Sequence, residues 1–435
     1  MALGGGTFTV QNKELPGAYI NFVSAASASA TLSERGIATM PLELDWGVCG
    51  EVFEVTNEDF QKRSMEIFGY EYTHEKMKGL RDLFLNIHTL YGYRLNGGVK
   101  AENSCAEARY PGSRGNDLKI VIQKNVDDEK LFDVKTQLGE VIVDEQTVAS
   151  AAELKGNSYV SWKPGMALEA TAGMPLEGGT DSAVEGTAYQ NYLDQIESYT
   201  YNTMGVTVAD ETTKALFVSF AKRLRDEMGI KFQLVLYDYA KADYYGVISV
   251  KNRVTDAGWS DTGLVYWVTG ISAGCPVNRS NQNRKYDGEF TVDVSYTQNQ
   301  LKGALRAGEF VFHTAGADVR VLDDINTMTT TSDVQGDIFK DNQTIRVIDQ
   351  IGNDIAVLFN TKYLGVVPND NAGRISFWSD IVKHHEQLQE IRAIENFSDT
   401  DVTVEQGSTK KSVVVSDAVT VVNAMGKLYM TVTVA

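Results

Sequence analysis

The stretch that decides the fold class covers residues 210–239 and reads DETTKALFVSFAKRLRDEMGIKFQLVLYDY. Its first part predicts a helix, because five apolar side chains fall on one face at helical spacing: Leu216, Phe217, Phe220, Leu224 and Met228. Gly229 can end that helix, and residues 231–239 follow at once as an apolar strand. Strand-like runs around Ile248 and Val265 repeat the pattern. Helix followed directly by strand indicates a mixed α/β layer.

Two further helices are predicted toward the N-terminus. Thr56 or Asn57 can cap the first, whose apolar face opens at Phe60. The second has an apolar stripe at spacings of three and four and can end at Gly92: Met77, Leu80, Phe84, Ile87 and Tyr91. Helical periods also occur in three later segments: 187–199, 343–359 and 373–394. By contrast, residues 95–179 contain short β-rich runs between turn clusters, which indicates an inserted β subdomain.

Composition and charge exclude several classes of protein. The 435 residues are 43% hydrophobic and 23% charged, which is ordinary globular usage and predicts two to four domains. The 40 Lys and Arg against 58 Asp and Glu give a net charge of −18, which disfavours nucleic-acid binding because phosphate contacts need a basic face. No apolar run reaches the roughly 18 residues that span a bilayer, and no signal peptide is evident. We therefore expect no membrane insertion and synthesis in the cytoplasm.

Both ends of the sequence contain a run of strand-forming residues. The first comprises Ala18, Tyr19, Ile20, Asn21, Phe22 and Val23, after a flexible start at Gly4, Gly5 and Gly6. The second alternates apolar and polar side chains: Leu428, Tyr429, Met430, Thr431, Val432, Thr433 and Val434. Neither has a hairpin partner beside it. Each strand must pair with a distant part of the chain or with another chain, because unpaired edges promote aggregation.

The residues that resemble catalytic or metal-binding motifs are better explained by structure. Residues 270–274 read GISAG and match the nucleophile elbow around Ser272, for which His313, His384 or His385 would be the base. Pro276 lies only two residues after this motif, which does not suit a nucleophile elbow. We therefore favour the interpretation that these small residues begin a helix that packs close to a neighbouring element. The five histidines form no zinc motif, Asp323 and Asp324 lack calcium-loop spacing, and no phosphate-binding loop occurs. Cys49, Cys105 and Cys275 are far apart and predict reduced core thiols. No cofactor and no metal are expected.

Eight segments in order give the chain a family resemblance. They are LPGAYINF (15–22), RGIATMPL (35–42), GSRGNDLKI (112–120), ADYYGVISV (242–250), YWVTGISAG (266–274), RVLDDINT (320–327), QTIRVIDQ (343–350) and KLYMTVTV (427–434). The sequence resembles the contractile tail sheath proteins of phages, defective prophages and phage-tail-like bacteriocins. The resemblance covers nearly the whole chain and supports the structural interpretation of Ser272.

The resemblance implies a non-enzymatic structural subunit without cofactors. Sheath subunits stack as hexameric rings around an inner tail tube, contact baseplate and tail terminator proteins, and contract to drive the tube through a target envelope. The implied fold is a multi-domain α/β (α+β) chain: an N-terminal arm (1–23), a mixed-sheet sheath core (24–94 and 186–335), an inserted β subdomain (95–185), a C-terminal sheath domain (336–424) and a C-terminal arm strand (425–435). Family arms donate strands to a neighbouring subunit, which matches the two terminal runs.

The helix predicted at 373–394 suggests a surface that faces the tube. It carries basic residues in an otherwise acidic chain: Arg374, Lys383, His384, His385 and Arg392. We hypothesise that this polar face touches an acidic tube and acts on docking register more than on affinity. The alternatives are another self-assembling virion protein, such as a tube or capsid component, and a serine hydrolase that uses Ser272. The length and the two strand-forming arms favour a sheath.

Overall fold

The computed structural model describes residues 32–434, which form two compact units. The central unit comprises Glu34–Asp349 and residues 423–434. The C-terminal unit comprises Gln350–Val422 together with residues 32 and 33. The strand predicted at residues 18–23 lies outside the described residues.

Eight α-helices lie within the described residues: α1 (Asn57–Phe68), α2 (Lys78–Phe84), α3 (Gly186–Ile196), α4 (Glu211–Lys222), α5 (Leu264–Gly274), α6 (Gln298–Arg306), α7 (Asn342–Leu358) and α8 (Asn371–Glu390). None of these helices is long and apolar enough to cross a membrane. Local signals explain several ends. Thr56 and Asp59 form a capping box at the start of α1, and Gly229 ends the π-helical turn after α4 with a φ of 78°.

The strands of the described residues are β1 (Ile37–Leu42), β2 (Val52–Thr56), β3 (Thr89–Arg94), β4 (Gly98–Val99), β5 (Ala106–Ala108), β6 (Leu118–Lys124), β7 (Phe132–Leu138), β8 (Val141–Val148), β9 (Val160–Trp162), β10 (Thr171–Pro175), β11 (Thr180–Asp181), β12 (Thr203–Val206), β13 (Gln233–Tyr237), β14 (Val247–Val250), β15 (Glu309–Phe310), β16 (Phe312–Ala315), β17 (Asp318–Val321), β18 (Ile394–Glu395), β19 (Val402–Gln406), β20 (Val413–Asp417) and β21 (Thr420–Val421). The strand predicted at 231–239 is β13.

A seven-stranded mixed sheet forms the centre of the central unit. Its order is β15-β14-β13-β12-β1-β3-β2, and every neighbouring pair is parallel except β2 with β3. Leu234 and Leu236 of β13 belong to a core shared with α3 and α4. Val235, between them, belongs to the opposite core with α1, α2 and α5. Helices therefore cover both faces of the sheet, and the predicted mixed α/β class is confirmed.

The β-rich segment between β3 and α3 forms its own antiparallel sheet, in the order β10-β6-β7-β8. Leu118, Ile120 and Ile122 alternate along β6 and are fully buried. Trp46 packs against this core and stacks on Tyr159, with ring centroids 6.3 Å apart. The β-rich runs predicted within residues 95–179 therefore include residues 118–123, which lie in β6, and residues 141–144, which lie in β8.

The C-terminal unit packs α8 against two small two-stranded antiparallel sheets. β19 pairs only with β20, and β18 pairs only with β21, among the described strands. Phe377 and Ile381 of α8 are buried with Leu358, Tyr363 and Val402. The unit therefore has its own apolar core, built mainly on one side of α8.

The helix predicted to continue through Tyr91 is wrong beyond Leu85. The segment Thr89–Arg94 is instead β3, which is hydrogen-bonded to β1 on one side and to β2 on the other. A Cβ added at Gly92 would lie 2.7 Å from the Phe53 ring, so the glycine admits an aromatic side chain from the adjacent strand. Backbone pairing on both edges outweighs the coincidental helical spacing of the apolar residues.

The strand-like run around Val265 is also wrong, because it forms α5. Its apolar side chains are buried almost all round the helix. Its glycines lie against the end of α2 and the residues just after it: a Cβ at Gly270 would be 2.6 Å from the Leu83 carbonyl oxygen, and one at Gly274 would be 1.9 Å from that of Asn86. The segment is therefore a closely packed core helix, which the abundance of β-forming residues concealed.

The three cysteines are free. Cys105 and Cys275 are buried, as predicted for core thiols. Cys49 is exposed, so the prediction of a core position is wrong for this residue.

Candidate assembly surfaces

The last described residues form an apolar arm outside any core. We call residues 425–434 the C-terminal arm. Its large apolar side chains are 70 to 101% exposed: Met425, Leu428, Tyr429, Met430, Val432 and Val434. No described residue of this arm belongs to a strand. A folded chain seldom exposes so many consecutive large apolar groups, and such a patch marks an interaction surface.

The base of the C-terminal arm is fixed to the central unit. The Ala424 amide donates to Gln343 Oε1 at 2.9 Å, and Asn423 Nδ2 donates to Thr344 Oγ1 at 3.1 Å. Both acceptors lie in the first turn of α7. The arm therefore starts from a defined position, while its own backbone groups from residue 425 make no strand pairing within the described chain.

The hairpin of β19 and β20 offers a sheet edge in the C-terminal unit. Its five residue pairs run from Val402 opposite Asp417 to Gln406 opposite Val413. Val414 and Val415 of β20 are 52% and 37% exposed. A two-stranded sheet leaves an unpaired row of backbone groups on each outer side, so the hairpin has room for added strands.

The basic residues predicted on the 373–394 helix do not share one environment. Arg374 is half-buried and donates to the Asn369 carbonyl oxygen at 3.0 Å, whereas Lys383 and Arg392 are exposed. His384 is only 1% exposed, so its placement on a solvent-facing polar surface is wrong. His385 is equally buried. Both histidines are turned inward because each hydrogen-bonds a carboxylate of the same unit.

Arg374 also lines a groove of about 540 Å³ in the C-terminal unit. Apolar side chains form its floor, including Phe359, Tyr363 and Phe377, and Lys410 and Lys411 lie along it with Arg374. None of the described residues that line the groove is acidic. The groove therefore combines apolar surface with positive charge in a chain whose net charge is −18.

Ser272 lies inside α5 and not at a strand-to-helix turn. It is fully buried, and its hydroxyl has no hydrogen-bond partner among the described residues. Its carbonyl oxygen accepts a hydrogen bond from Arg35 Nη2 at 3.0 Å. His384 and His385 are bonded to each other and to Asp354 and Asp417. This arrangement lacks the exposed hydroxyl and adjacent base that a serine nucleophile requires.

Asp324 belongs to a buried ion pair. It is 1% exposed and lies 2.7 Å from Arg346 Nη2, and it also accepts from the Asn281 amide at 2.8 Å and Asn342 Nδ2 at 3.0 Å. Burial raises the pKa of Asp324, but Arg346 and the other donors outweigh burial and hold that pKa below its ordinary value. The described residues contain no group of three or more metal-ligating side chains suited to a metal ion.

A second buried ion pair was not predicted from the sequence. Arg225 donates through both Nη atoms to the carboxylate of Asp349, each at 2.7 Å, and Arg225 is fully buried. Arg346 and Asp349 both lie in the first half of α7, so two bonded charges fix this part of the helix in the central unit. The sequence shows only that Arg346 and Asp349 are opposite charges among the apolar residues of one helix. That pattern is too common to predict that Asp349 pairs with Arg225.

Comparison with known families identifies the class of protein. Matches occur to the tail sheath protein Gp18 domain III N-terminal region at residues 35–95 and the phage tail sheath β-sandwich domain at 95–181. The phage tail sheath central domain matches residues 182–327, and the C-terminal domain matches 334–435. Together these cover nearly all of the chain.

Individual relatives agree with the family matches. Protein XkdK of the phage-like element PBSX of Bacillus subtilis is 33% identical over 99% of this chain and 100% of its own length. A sheath tail protein from Desulfitobacterium hafniense is 39% identical, with a TM-score of 0.79 over 90% of this chain and 93% of that one. The contracted helical sheath of the anti-feeding prophage shares the fold at 13% identity, with a TM-score of 0.58 over 97% and 99% of the two chains.

The chain belongs to the phage tail sheath family and is a structural component of a phage-type tail. The family predicted from the eight sequence segments is therefore confirmed.

Proposed function

We propose that this subunit polymerises as stacked hexameric rings around a tail tube and contracts to drive the tube through a target envelope. It assembles in the bacterial cytoplasm with baseplate and terminator proteins and acts without catalysis or a cofactor. The observation that carries the proposal is the C-terminal arm, a strand-forming segment that is fixed at its base and exposed along its length. An isolated subunit gains nothing from such an arm, whereas a polymer gains a link.

Strand exchange between subunits suits both strand-forming runs of the sequence. An arm that adds to a sheet of a neighbouring copy satisfies a row of backbone groups, and each hydrogen bond contributes roughly 0.5 to 1.5 kcal/mol. Residues 428–434 alternate apolar and polar side chains, so one face of the added strand can be buried. The N-terminal run at residues 18–23 is proposed to act in the same way. Such links persist while the bodies of the subunits rotate and repack.

We infer that the hairpin of β19 and β20 receives an arm. It is a two-stranded sheet with exposed valines at Val414 and Val415, and an apolar arm strand would cover them. The arm residues carry no acidic side chain, so they bring no repulsion to this acidic chain. Pairing on an outer edge of the hairpin would turn it into a sheet of three or more strands, which is more stable than an isolated hairpin.

A tube-facing role remains proposed for the exposed basic residues near α8. Lys383 and Arg392 are exposed, and the groove lined by Arg374 adds Lys410 and Lys411 to the positive surface of this unit. An acidic tube surface would complement them. His384 is excluded from this contact because it is buried.

The arm proposal is tested by deleting residues 425–435 from the full chain. We expect a folded protein that no longer forms long cylinders, because the described arm contributes no buried apolar side chain to either unit. A double substitution, Thr431→Pro with Val432→Pro, tests the same point without shortening the arm. Successive amides of a strand point to opposite edges, so one proline must remove a pairing donor.

The matched control is Thr431→Ser with Val432→Ile, which keeps every backbone donor and the β-forming character. Negative-stain microscopy and sedimentation after mixing with tube protein measure polymer length, and circular dichroism checks the fold. Normal cylinders from the deletion or from the double-proline variant would refute strand exchange through this arm.

A further inference from the structure

Two consecutive histidines of α8 form a closed chain of hydrogen bonds inside the C-terminal unit. His384 and His385 are 1% and 0% exposed. Their Nδ1 atoms lie 3.3 Å from each other. At the outer ends, His384 Nε2 lies 2.9 Å from Asp354 Oδ2 of α7, and His385 Nε2 lies 2.8 Å from Asp417 Oδ2 of β20. The pair thus joins α8 to a second helix and to the hairpin.

This chain of bonds fixes the number of protons on the two rings. Each Nε2 faces a carboxylate acceptor, so each Nε2 carries a proton. The Nδ1–Nδ1 bond needs one proton between the two atoms, since one nitrogen must donate and the other accept. When all three hydrogen bonds are made, the two rings together hold three protons, which leaves one ring neutral and the other cationic. A fourth proton would point two N–H groups at each other and break the central bond.

The surroundings of Asp354 favour its ionised form. Asp354 also accepts from Ser33 Oγ at 2.6 Å and from Gln350 Nε2 at 2.7 Å. Burial raises the pKa of Asp354, but hydrogen bonds from His384, Ser33 and Gln350 outweigh burial and leave that pKa below its ordinary value. Asp354 therefore stays available as an acceptor at mildly acidic pH.

Other charged groups on the packed elements do not replace these two partners. Asp380, one turn before His384, is bonded to Lys362 and Tyr363, both at 2.5 Å. The half-buried Asp401 accepts from the Ser398 amide. The remaining charged side chains along α8, β18 and β19 from Lys383 onward are exposed: Lys383, Glu386, Glu390, Glu395 and Glu405. Among the described residues of these elements, the carboxylates bonded to the two rings are therefore Asp354 and the partly exposed Asp417.

We propose that His384 and His385 form an acid-sensitive latch, in which uptake of a fourth proton breaks the central bond and releases α8 from the hairpin of β19 and β20. Histidine side chains ordinarily gain a proton between pH 8 and 5. The closed pair holds three protons, whereas two unfolded imidazoles hold two protons well above the ordinary histidine pKa of about 6.5 and four well below it. The stability that the pair contributes is therefore greatest near that pKa, and well below it the equilibrium constant for closure falls about tenfold per pH unit.

The consequence for assembly rests on the function proposed above. If the hairpin receives an arm of another subunit, acid weakens the receiving sheet and hence the link between subunits. The latch itself concerns one subunit, so it is measured on the unassembled full chain and is independent of polymer formation.

The test compares amide hydrogen exchange at pH 6.5 and pH 5, after correction for the intrinsic exchange rate at each pH. We expect protection of Asn371–Glu390 and Val413–Asp417 to fall roughly eightfold between these two pH values. His385→Gln keeps an Nε2 donor toward Asp417 but removes the second Nδ1, so His384 can take up a proton without conflict. This variant should lose little of that protection. If it fails to fold, His384→Gln makes the same change from the other side.

The matched control is His88→Gln, because His88 is an exposed histidine of the central unit. It should keep the full acid response of the C-terminal unit. Equal protection of the two segments at pH 6.5 and pH 5 in the unaltered protein would overturn the proposal. An acid loss in His385→Gln or His384→Gln that equals the loss in the unaltered chain would also overturn it.

Discussion

Replacing Arg346 by methionine is expected to destabilise the central unit strongly. Methionine matches most of the length of arginine but leaves Asp324 as a buried carboxylate without its cation. Arg346 and Asp324 are 0% and 1% exposed at their side chains, and their atoms approach to 2.7 Å. Removing one member of such a pair costs roughly 3–5 kcal/mol, because the remaining charge is buried and unpaired.

The expected change in melting temperature follows from the size of the unit. For a large domain, 1 kcal/mol corresponds to roughly 2 °C, so Arg346→Met should lower the midpoint by roughly 6–10 °C. Thermal unfolding followed by tryptophan fluorescence measures this shift, since Trp267 is fully buried in the same unit. Its indole also donates to Asp287 at 2.8 Å, so its environment changes when the core opens.

A matched control separates burial from pairing. Arg253 lies 3.1 Å from Asp293, but its side chain is 54% exposed, so Arg253→Met should cost less than about 1 kcal/mol. The double variant Arg346→Met with Asp324→Asn should recover part of the loss, because it removes the unpaired charge. The reasoning fails if Arg346→Met and Arg253→Met lower the melting temperature equally.

Three further predictions concern other parts of the chain. Ser272→Ala should leave assembly intact, and the unaltered protein should resist fluorophosphonate labelling; labelling at Ser272 would contradict its structural role. Burial raises the pKa of Asp82 to about 6, so ionisation of this carboxyl lowers the free energy of unfolding by up to about 3 kcal/mol as pH rises from 4 to 7. Urea unfolding midpoints at pH 5 and pH 7.5 measure this loss of stability. The variant Asp82→Asn should remove the difference between the two midpoints. Lys383→Glu combined with Arg392→Glu should reduce tube-templated assembly in a sedimentation assay, whereas unchanged assembly would remove α8 from the tube contact.

Local signals in the sequence were sufficient where neighbouring residues decide the structure. The capping box of Thr56 and Asp59 and the left-handed Gly229 act within one turn of their own helices. Their positions were therefore predictable. The strand β3 was misread because its pairing with β1 joins residues about fifty positions apart, and no local period records that contact.

The buried polar groups were beyond prediction for the same physical reason. Arg225 pairs with Asp349 across 124 positions, and His384 with Asp354 across 30. Each residue alone resembles a solvated charge on a helix. Only the fold brings the partners together and removes water, and burial then converts an ordinary charge into a strong constraint.

Buried ion pairs and unpaired backbone suit different tasks within one subunit. Arg225 and Arg346 bind α7 through buried ion pairs, which are costly to break and hold the central unit in one arrangement. The C-terminal arm buries none of its large apolar side chains in its own subunit, so the burial of these side chains is left for the pairing with another copy that we propose. A polymer that must stay connected while its subunits move needs bodies that do not deform and links that tolerate rotation. Separating buried charge in the body from unpaired backbone in the arm meets both requirements.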